Sequence, residues 1–163
     1  MQSPRVAIRR MPYEEPHNIH LEFVVSSGPF SGAVDVYFHR HEMEAIAARL
    51  KVFPVHVGDE YIFEYGSESP SLRAYRHLVL RAYCVDQVGH CALQFSINLN
   101  QAEPEEGVVR FSIPVEPAAL NRLGELLEVF AQLRHLELVW SPITGALYEQ
   151  YQEREATVGT SEA

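Results

Sequence analysis

The sequence predicts an α+β protein with a single curved antiparallel sheet of about six to eight strands and two helices packed on one face. Three observations support this fold class. Most segments alternate apolar and polar residues, these segments follow one another as adjacent hairpins, and only two segments have the apolar spacing of a helix. Neither a GxGxxG nor a P-loop pattern occurs, which argues against a doubly wound nucleotide-binding fold. We expect residues 1–148 to form one domain and residues 149–163 to form a disordered polar tail.

The clearest strand pattern lies in residues 78–99, where every second residue is apolar on both sides of a short polar turn. Because successive side chains of a strand point to opposite faces, this pattern predicts a hairpin with one buried face. The register that pairs Leu80 with Phe95 also places Cys84 opposite Cys91. A disulfide is geometrically possible there, and two buried thiols in a reducing compartment are the other interpretation. The apolar positions are Leu78, Leu80, Ala82, Cys84, Cys91, Leu93, Phe95, Ile97 and Leu99.

Shorter alternating segments predict the remaining strands. The segments from Ile19 to Val25 and from Val34 to Phe38 are separated by a short turn, and they form a second predicted hairpin. The predicted strands, in chain order, are residues 5–10, 19–25, 34–38, 61–65, 78–84, 91–99, 109–113 and 136–140.

Two segments have the apolar spacing of a helix. The first places four apolar side chains of residues 43–50 on one stripe, and it ends before Pro54. The second runs over residues 116–133 and begins with Pro117, whose missing amide proton costs nothing in the first turn. Its leucine-rich stripe is too short for a coiled coil, so we expect this helix to cover the sheet.

The charge balance bears on the partners of the protein. The chain has 163 residues and a formal net charge of −9, with 13 Lys and Arg against 22 Asp and Glu. Because a nucleic-acid backbone is bound by clustered basic residues, this balance predicts no nucleic-acid partner and favours a basic protein partner. The N-terminus lacks the apolar core of a secretory signal, and no apolar stretch is long enough to span a membrane. We therefore expect a cytoplasmic protein without membrane association.

Histidines are the main candidates for catalysis or metal binding. His39 and His41 lie just before the first helix, at a spacing that can place two imidazoles on one side of the backbone. His90 follows the turn of the long hairpin, where it could act as a general base. An exposed polar patch is the simpler interpretation, and we expect no catalytic residue, no cofactor and no bound metal. The candidates for a third metal ligand are His17, His20 and Glu42.

The polar positions of the strands are predicted to share the sheet face that is turned away from the helices. Tyr and Arg are enriched in protein interfaces, and acidic neighbours attract a basic partner. This combination predicts a protein-binding face, with a plain solvated sheet face as the alternative. The predicted face consists of Glu22, Asp35, Tyr37, Glu64, Arg81, Tyr83, Gln94 and Asn98.

Four consecutive features resemble small bacterial proteins of the WapI-type immunity group and related uncharacterised families. They are the run Phe-Ser-Gly-Ala-Val-Asp-Val-Tyr-Phe at 30–38, an acidic amphipathic helix, the run Gly-His-Cys-Ala-Leu-Gln-Phe at 89–95 on a strand, and a final helix. The similarity spans residues 19–133 in element order. Such proteins bind and neutralise a cognate toxin without catalysis.

The resemblance therefore implies a non-enzymatic protein-binding domain that acts as an immunity protein, with a basic toxin as its partner. Two alternatives remain open on the sequence. One is a small metal-dependent or small-molecule-binding enzyme that uses His39, His41 and His90. The other is an acidic inhibitor that acts by charge mimicry.

Overall fold

The computed structural model of the protein describes residues 3–69, 71 and 75–154. Within these ranges the chain forms strands, two α-helices and one short 3-10 turn at Pro12–Glu14. The helices are α1 (Arg40–Lys51) and α2 (Pro117–Phe130). The strands are β1 (Arg5–Met11), β2 (Ile19–Ser26), β3 (Ser31–Phe38), β4 (Glu60–Tyr65), β5 (His77–Cys84), β6 (Cys91–Asn98), β7 (Val108–Val115), β8 (Glu137–Trp140) and β9 (Gly145–Tyr148).

The strands form two antiparallel sheets. Sheet A has the order β3-β2-β1-β8-β9, and sheet B has the order β4-β5-β6-β7. The α+β class is confirmed, but the prediction of a single sheet is wrong. Helix α1 and the loop after it carry the chain away from β3, so that β4 pairs with β5 and starts a second sheet. Alternation shows which face of a hairpin is buried, but it does not show whether two hairpins share an edge.

The long hairpin is confirmed as β5 and β6. Leu80 lies opposite Phe95, and Cys84 lies opposite Cys91, as the predicted register requires. Both thiols are free. Burial raises the pKa of Cys91 to about 11. Because the thiolate is the reactive form, we expect Cys91 to react slowly at neutral pH.

One strand of sheet A escaped prediction. The predicted strand at residues 136–140 is confirmed as β8, which pairs with β1 on one side and with β9 on the other. The missed strand, β9, has only four residues, and its composition shows no alternation of apolar and charged positions. The tight turn between β8 and β9 is held by Ser141, whose Oγ accepts hydrogen bonds from the amides of Ile143 and Thr144 at 3.1 and 3.0 Å.

Both sheets and both helices share one apolar core. Inward residues of both sheets contact the buried stripes of α1 and α2. The predicted leucine stripe of α2 is confirmed as core. The two helices cross at Gly124, where a Cβ atom would lie 2.6 Å from the backbone nitrogen of Lys51 and 2.9 Å from the carbonyl oxygen of Ala47. The largest fully buried side chains of the core are Trp140, Phe38, Phe53, Phe95 and Phe130.

A buried ion pair holds the start of β4. Asp59 is 3% exposed, and Arg49 on α1 donates to both of its carboxylate oxygens, at 2.8 and 3.2 Å. The amides of Val55 and Glu60 also donate to Asp59, each at 2.9 Å. The Arg49 hydrogen bonds are the main reason why the pKa of Asp59 is lowered from 3.8 to about 2.

The last described residues cross the outer face of sheet A. The Tyr151 hydroxyl donates to the carbonyl of Arg10 at 2.5 Å, and the amide of Gln152 donates to Glu137 at 2.8 Å. Part of the predicted polar tail, residues 155–163, lies outside the described residues. No helix in the described ranges is long and apolar enough to span a membrane.

Candidate functional site

The structure divides the eight predicted face residues between the two sheets. All eight occupy positions that alternate with inward-facing core residues along their strands. The residues on sheet A are Glu22, Asp35 and Tyr37, and those on sheet B are Glu64, Arg81, Tyr83, Gln94 and Asn98. The two groups therefore occupy separate surfaces.

Polar and aromatic groups on the outer face of sheet A contact one another. The Tyr37 ring stacks on His20, directly opposite on β2, with centroids 4.5 Å apart. Tyr13 hydrogen-bonds to Nδ1 of His20 at 2.9 Å, and its hydrogen bond to Tyr37 is the main cause that raises the pKa of Tyr37. Glu22 is paired with Arg154. The contacts of Tyr13, His20 and Tyr37 join these three side chains into one aromatic cluster on this face.

The outer face of sheet B is open, and three of its four strands carry no negative charge on this face. Within β5, β6 and β7, which are fully described, none of the outward residues is acidic, and two of them are arginines. The chain as a whole carries a net charge of −9. The edge strand β4 and the loop that follows it place Glu60, Glu64 and Glu68 against these strands. The outward residues are His77, Val79, Arg81, Tyr83, Ala92, Gln94, Ser96, Asn98, Val108, Arg110, Ser112 and Pro114.

A tyrosine and an arginine on this face are stacked on each other. The Arg81 guanidinium lies 4.0 Å from the centroid of the Tyr83 ring. The Tyr83 hydroxyl is 2.9 Å from Oγ of Ser112, and Arg81 donates to Glu60 at 2.5 Å. Gln94, opposite Arg81, donates to Ser112 at 3.4 Å. Both planar groups are thereby held in place, and we refer to Arg81 and Tyr83 as the stacking platform.

An open depression of about 380 Å³ adjoins the platform. At one side, Glu68 accepts a hydrogen bond from Nδ2 of Asn98 at 2.7 Å. The buried His77 lies beside it, with Nε2 2.6 Å from Glu64. At the other side lies Arg110, which is exposed and forms no ion pair with any residue in the described ranges. The residues lining the depression are Glu68, His77, Val79, Ser96, Ile97, Val108, Val109 and Arg110.

The predicted histidine site is not assembled. The His39 and His41 rings stack on each other at 5.5 Å at the exposed start of α1. His90 lies at the tip of the β5–β6 hairpin, where Asp86 at 2.6 Å raises its pKa. Across the described part of the chain, no group of three His, Cys, Asp or Glu side chains is suited to hold a metal ion. The structure gives no support to the alternative of an enzyme built on His39, His41 and His90.

Comparisons with known proteins give little sequence similarity. No family model matches the chain, and no curated protein matches it. Among solved structures, that of the plant transcriptional regulator PBF-2 has 13% identity and a TM-score of 0.44, covering 80% of this chain and 76% of that chain. WHY1 from Arabidopsis thaliana has 10% identity and a TM-score of 0.44, covering 80% of this chain and 85% of that chain.

These findings correct the functional predictions. The resemblance to WapI-type immunity proteins is wrong, because no family model and no curated protein matches the chain. The predicted immunity function, the basic toxin as partner and the charge-mimicry alternative are wrong with it. The exclusion of nucleic acid is also wrong: it treated net charge as if it were spread evenly, whereas the outer face of β5–β7 lacks acidic residues.

The fold and this face define an α+β protein of two antiparallel sheets, one of which presents an open polar surface with a stacking platform. The sequence prediction included Arg81 and Tyr83 but missed Ser96, Arg110 and Ser112. Their signal was present in the alternation of β6 and β7, and a count of charges for each predicted strand face would have revealed it.

Proposed function

We propose that this protein binds single-stranded nucleic acid on the outer face of β5–β7 and acts by binding rather than by catalysis. One observation carries the proposal. A chain with a net charge of −9 keeps this face free of acidic residues and places two arginines and a tyrosine on it. A face with this composition suits an anionic, aromatic ligand better than a basic protein.

The stacking platform supports base binding. Every nucleobase has a flat π-face, and proteins bind unstacked bases on aromatic rings and on guanidinium planes. Arg81 and Tyr83 supply one plane of each kind, 4.0 Å apart. Gln94 and Ser112 add amide and hydroxyl groups that can donate to and accept from base edges. A single strand exposes these base faces and edges, whereas a duplex hides them.

The small number of cations sets the expected mode of binding. Arg81 is paired with Glu60, so Arg110 is the arginine of this face that is left to contact a phosphate. With one or two phosphate contacts, the logarithm of the binding constant should fall with the logarithm of salt concentration at a slope of about −0.7 to −1.4. Stacking rather than phosphate contact then dominates, and the affinity is expected in the micromolar range at low salt.

Fluorescence anisotropy with labelled single strands tests the proposal. An oligothymidine and an oligouridine of about 12 nucleotides suit the size of one sheet face. We expect Tyr83→Ala to weaken binding about tenfold through loss of stacking, and Tyr83→Phe to keep most of the affinity. Arg110→Ala should reduce the salt slope by about 0.7. The matched control is Arg134→Ala, an exposed arginine in the loop between α2 and β8.

Three results would contradict the proposal. The first is the absence of binding by the wild-type protein at low salt. The second is equal affinity of the wild-type protein and a folded Tyr83→Ala variant, because the ligand would then not lie on the stacking platform. Equal binding of a duplex of the same length would also count against it, since a duplex offers only its backbone to this face.

We also propose a reducing, cytoplasmic compartment for this protein. The proposal is supported by Cys84 and Cys91, which lie directly opposite each other on β5 and β6 and are both free thiols. In an oxidising compartment, two opposed cysteines of this kind tend to form a disulfide. Thiol counting on protein purified under non-reducing conditions tests this: two free thiols support the proposal, and none contradicts it.

A further inference from the structure

The depression beside the stacking platform has the chemistry of a base-binding pocket. Its floor contains Ser96, which follows Gln94 on the same face of β6, so that the depression and the platform form one continuous surface. Val79 and Val108 supply apolar contact area. A bound strand that places one base on the platform therefore brings a neighbouring base to the depression.

The polar groups of the depression differ between its two sides. Glu68 lies over Asn98, which donates to it at 2.7 Å and so fixes the orientation of its carboxylate. Arg110 lies directly opposite Ser96 on β7. Because Ser96 and Asn98 are two residues apart on one strand, the two sides are separated by about 7 Å along the strand, which matches the width of one base. The depression thus offers acceptors at one side and donors at the other.

We infer that this depression prefers guanine among the bases of a bound single strand, an inference that rests on the proposed function. Guanine presents the acceptors O6 and N7 on one edge, to which arginine binds, and N–H donors at N1 and N2, which a carboxylate accepts. Cytosine and adenine offer one amino group to Glu68 and fit Arg110 less well. Thymine and uracil have no amino group and offer the Glu68 carboxylate a single N–H donor, at N3, against the two donors of guanine.

Single-base substitution within one oligonucleotide measures this preference. In an oligothymidine of about 12 nucleotides, one central thymine is replaced by guanine, adenine or cytosine. The wild-type protein should bind the guanine strand about tenfold more tightly than the unsubstituted strand. Hypoxanthine, which lacks the N2 amino group, should lose part of this gain. In 7-deazaguanine the acceptor N7 is missing, and the gain should also fall.

Glu68→Gln should abolish the guanine preference, measured within this variant as the ratio of the affinities for the guanine strand and for plain oligothymidine. The glutamine keeps an oxygen to accept from Asn98, so the local structure is maintained. The matched control is Glu125→Gln on the exposed side of α2, which should keep the full preference. Arg110→Ala should reduce the preference, and it should lower the salt slope only for plain oligothymidine, in which Arg110 contacts a phosphate instead of a guanine.

The outcomes separate this inference from the proposed function. Binding of all four strands with equal affinity, still weakened by Tyr83→Ala, overturns the guanine preference and leaves the proposed function intact. A guanine preference that persists in Glu68→Gln also overturns the inference. Absence of binding to every strand overturns both.

Discussion

Replacement of Asp59 by asparagine should destabilise the protein by about 1–2 kcal/mol at neutral pH. The pKa of Asp59 is lowered from 3.8 to about 2, chiefly by the hydrogen bonds from Arg49. At about 1.4 kcal/mol per pKa unit, this corresponds to at most about 2.5 kcal/mol. The Arg49 side chain is 33% exposed, and solvent screening reduces the value accordingly. The substituted asparagine would keep one acceptor oxygen but lose the charge that attracts the guanidinium.

The same ion pair predicts a pH dependence of defined sign. Because the carboxyl of Asp59 has a lower pKa in the folded than in the unfolded protein, its contribution is fully present above pH 3.8 and is lost as the pH falls towards about 2. The free energy of unfolding of the wild-type protein should therefore decline between about pH 5 and pH 2, and the Asp59→Asn variant should lack this part of the decline.

Urea denaturation at several pH values measures both effects. Trp140, the single tryptophan of the chain, is fully buried and reports unfolding through its fluorescence. The control is Glu105→Gln, because Glu105 is exposed in the loop between β6 and β7 and its loss should leave the stability nearly unchanged. Equal stability of the wild-type protein and Asp59→Asn at pH 7, or the same slope for both between pH 5 and pH 2, would refute the reasoning.

Three further predictions concern packing and reactivity. Gly124→Ala should lower the free energy of unfolding in urea by about 2 kcal/mol, because the added methyl group would lie 2.9 Å from the carbonyl oxygen of Ala47. A free energy equal to that of the wild-type protein would show that the two helices separate easily. Asn121→Ala should lower the free energy of unfolding by about 1–2 kcal/mol in the same assay, because the Asn121 amide donates to the carbonyls of Leu50 and Phe53 at the end of α1. An unchanged free energy would mean that water takes over these two hydrogen bonds. In a Cys84→Ala background, alkylation of Cys91 should be slow at pH 7 and should rise about tenfold per pH unit up to pH 9, because its pKa is about 11; a plateau below pH 9 would contradict this.

The distribution of charge, rather than its sum, decides which ligands this protein suits. The net charge of −9 describes the chain, but a ligand contacts one face only. At physiological salt, charges more than about 8 Å apart are largely screened, so that acidic residues on the helices weaken binding at β5–β7 only slightly. This is why the sequence-based exclusion of nucleic acid was wrong, although the composition itself was interpreted correctly.

Local structure was largely predictable. The sequence predicted the hairpin of β5 and β6 with the correct register, because alternation on both sides of a polar turn allows one pairing that buries all the apolar residues. The sequence also predicted helix α2 and its buried side, because the leucines of this segment recur at helical spacing. The stacking platform was partly predictable for the same reason: Arg81 and Tyr83 alternate with buried residues of β5.

The sequence by itself determined which segments are strands and helices and which side of each one is buried, because these properties depend on residues a few positions apart. Only the tertiary structure decided that the strands form two sheets, with β1 paired to β8, because that choice depends on contacts between residues more than a hundred positions apart. The depression beside the stacking platform also depends on the tertiary structure. Its polar groups are Glu68 in the loop after β4, Asn98 on β6 and Arg110 on β7, and the folding of this loop against the paired strands brings them to one surface.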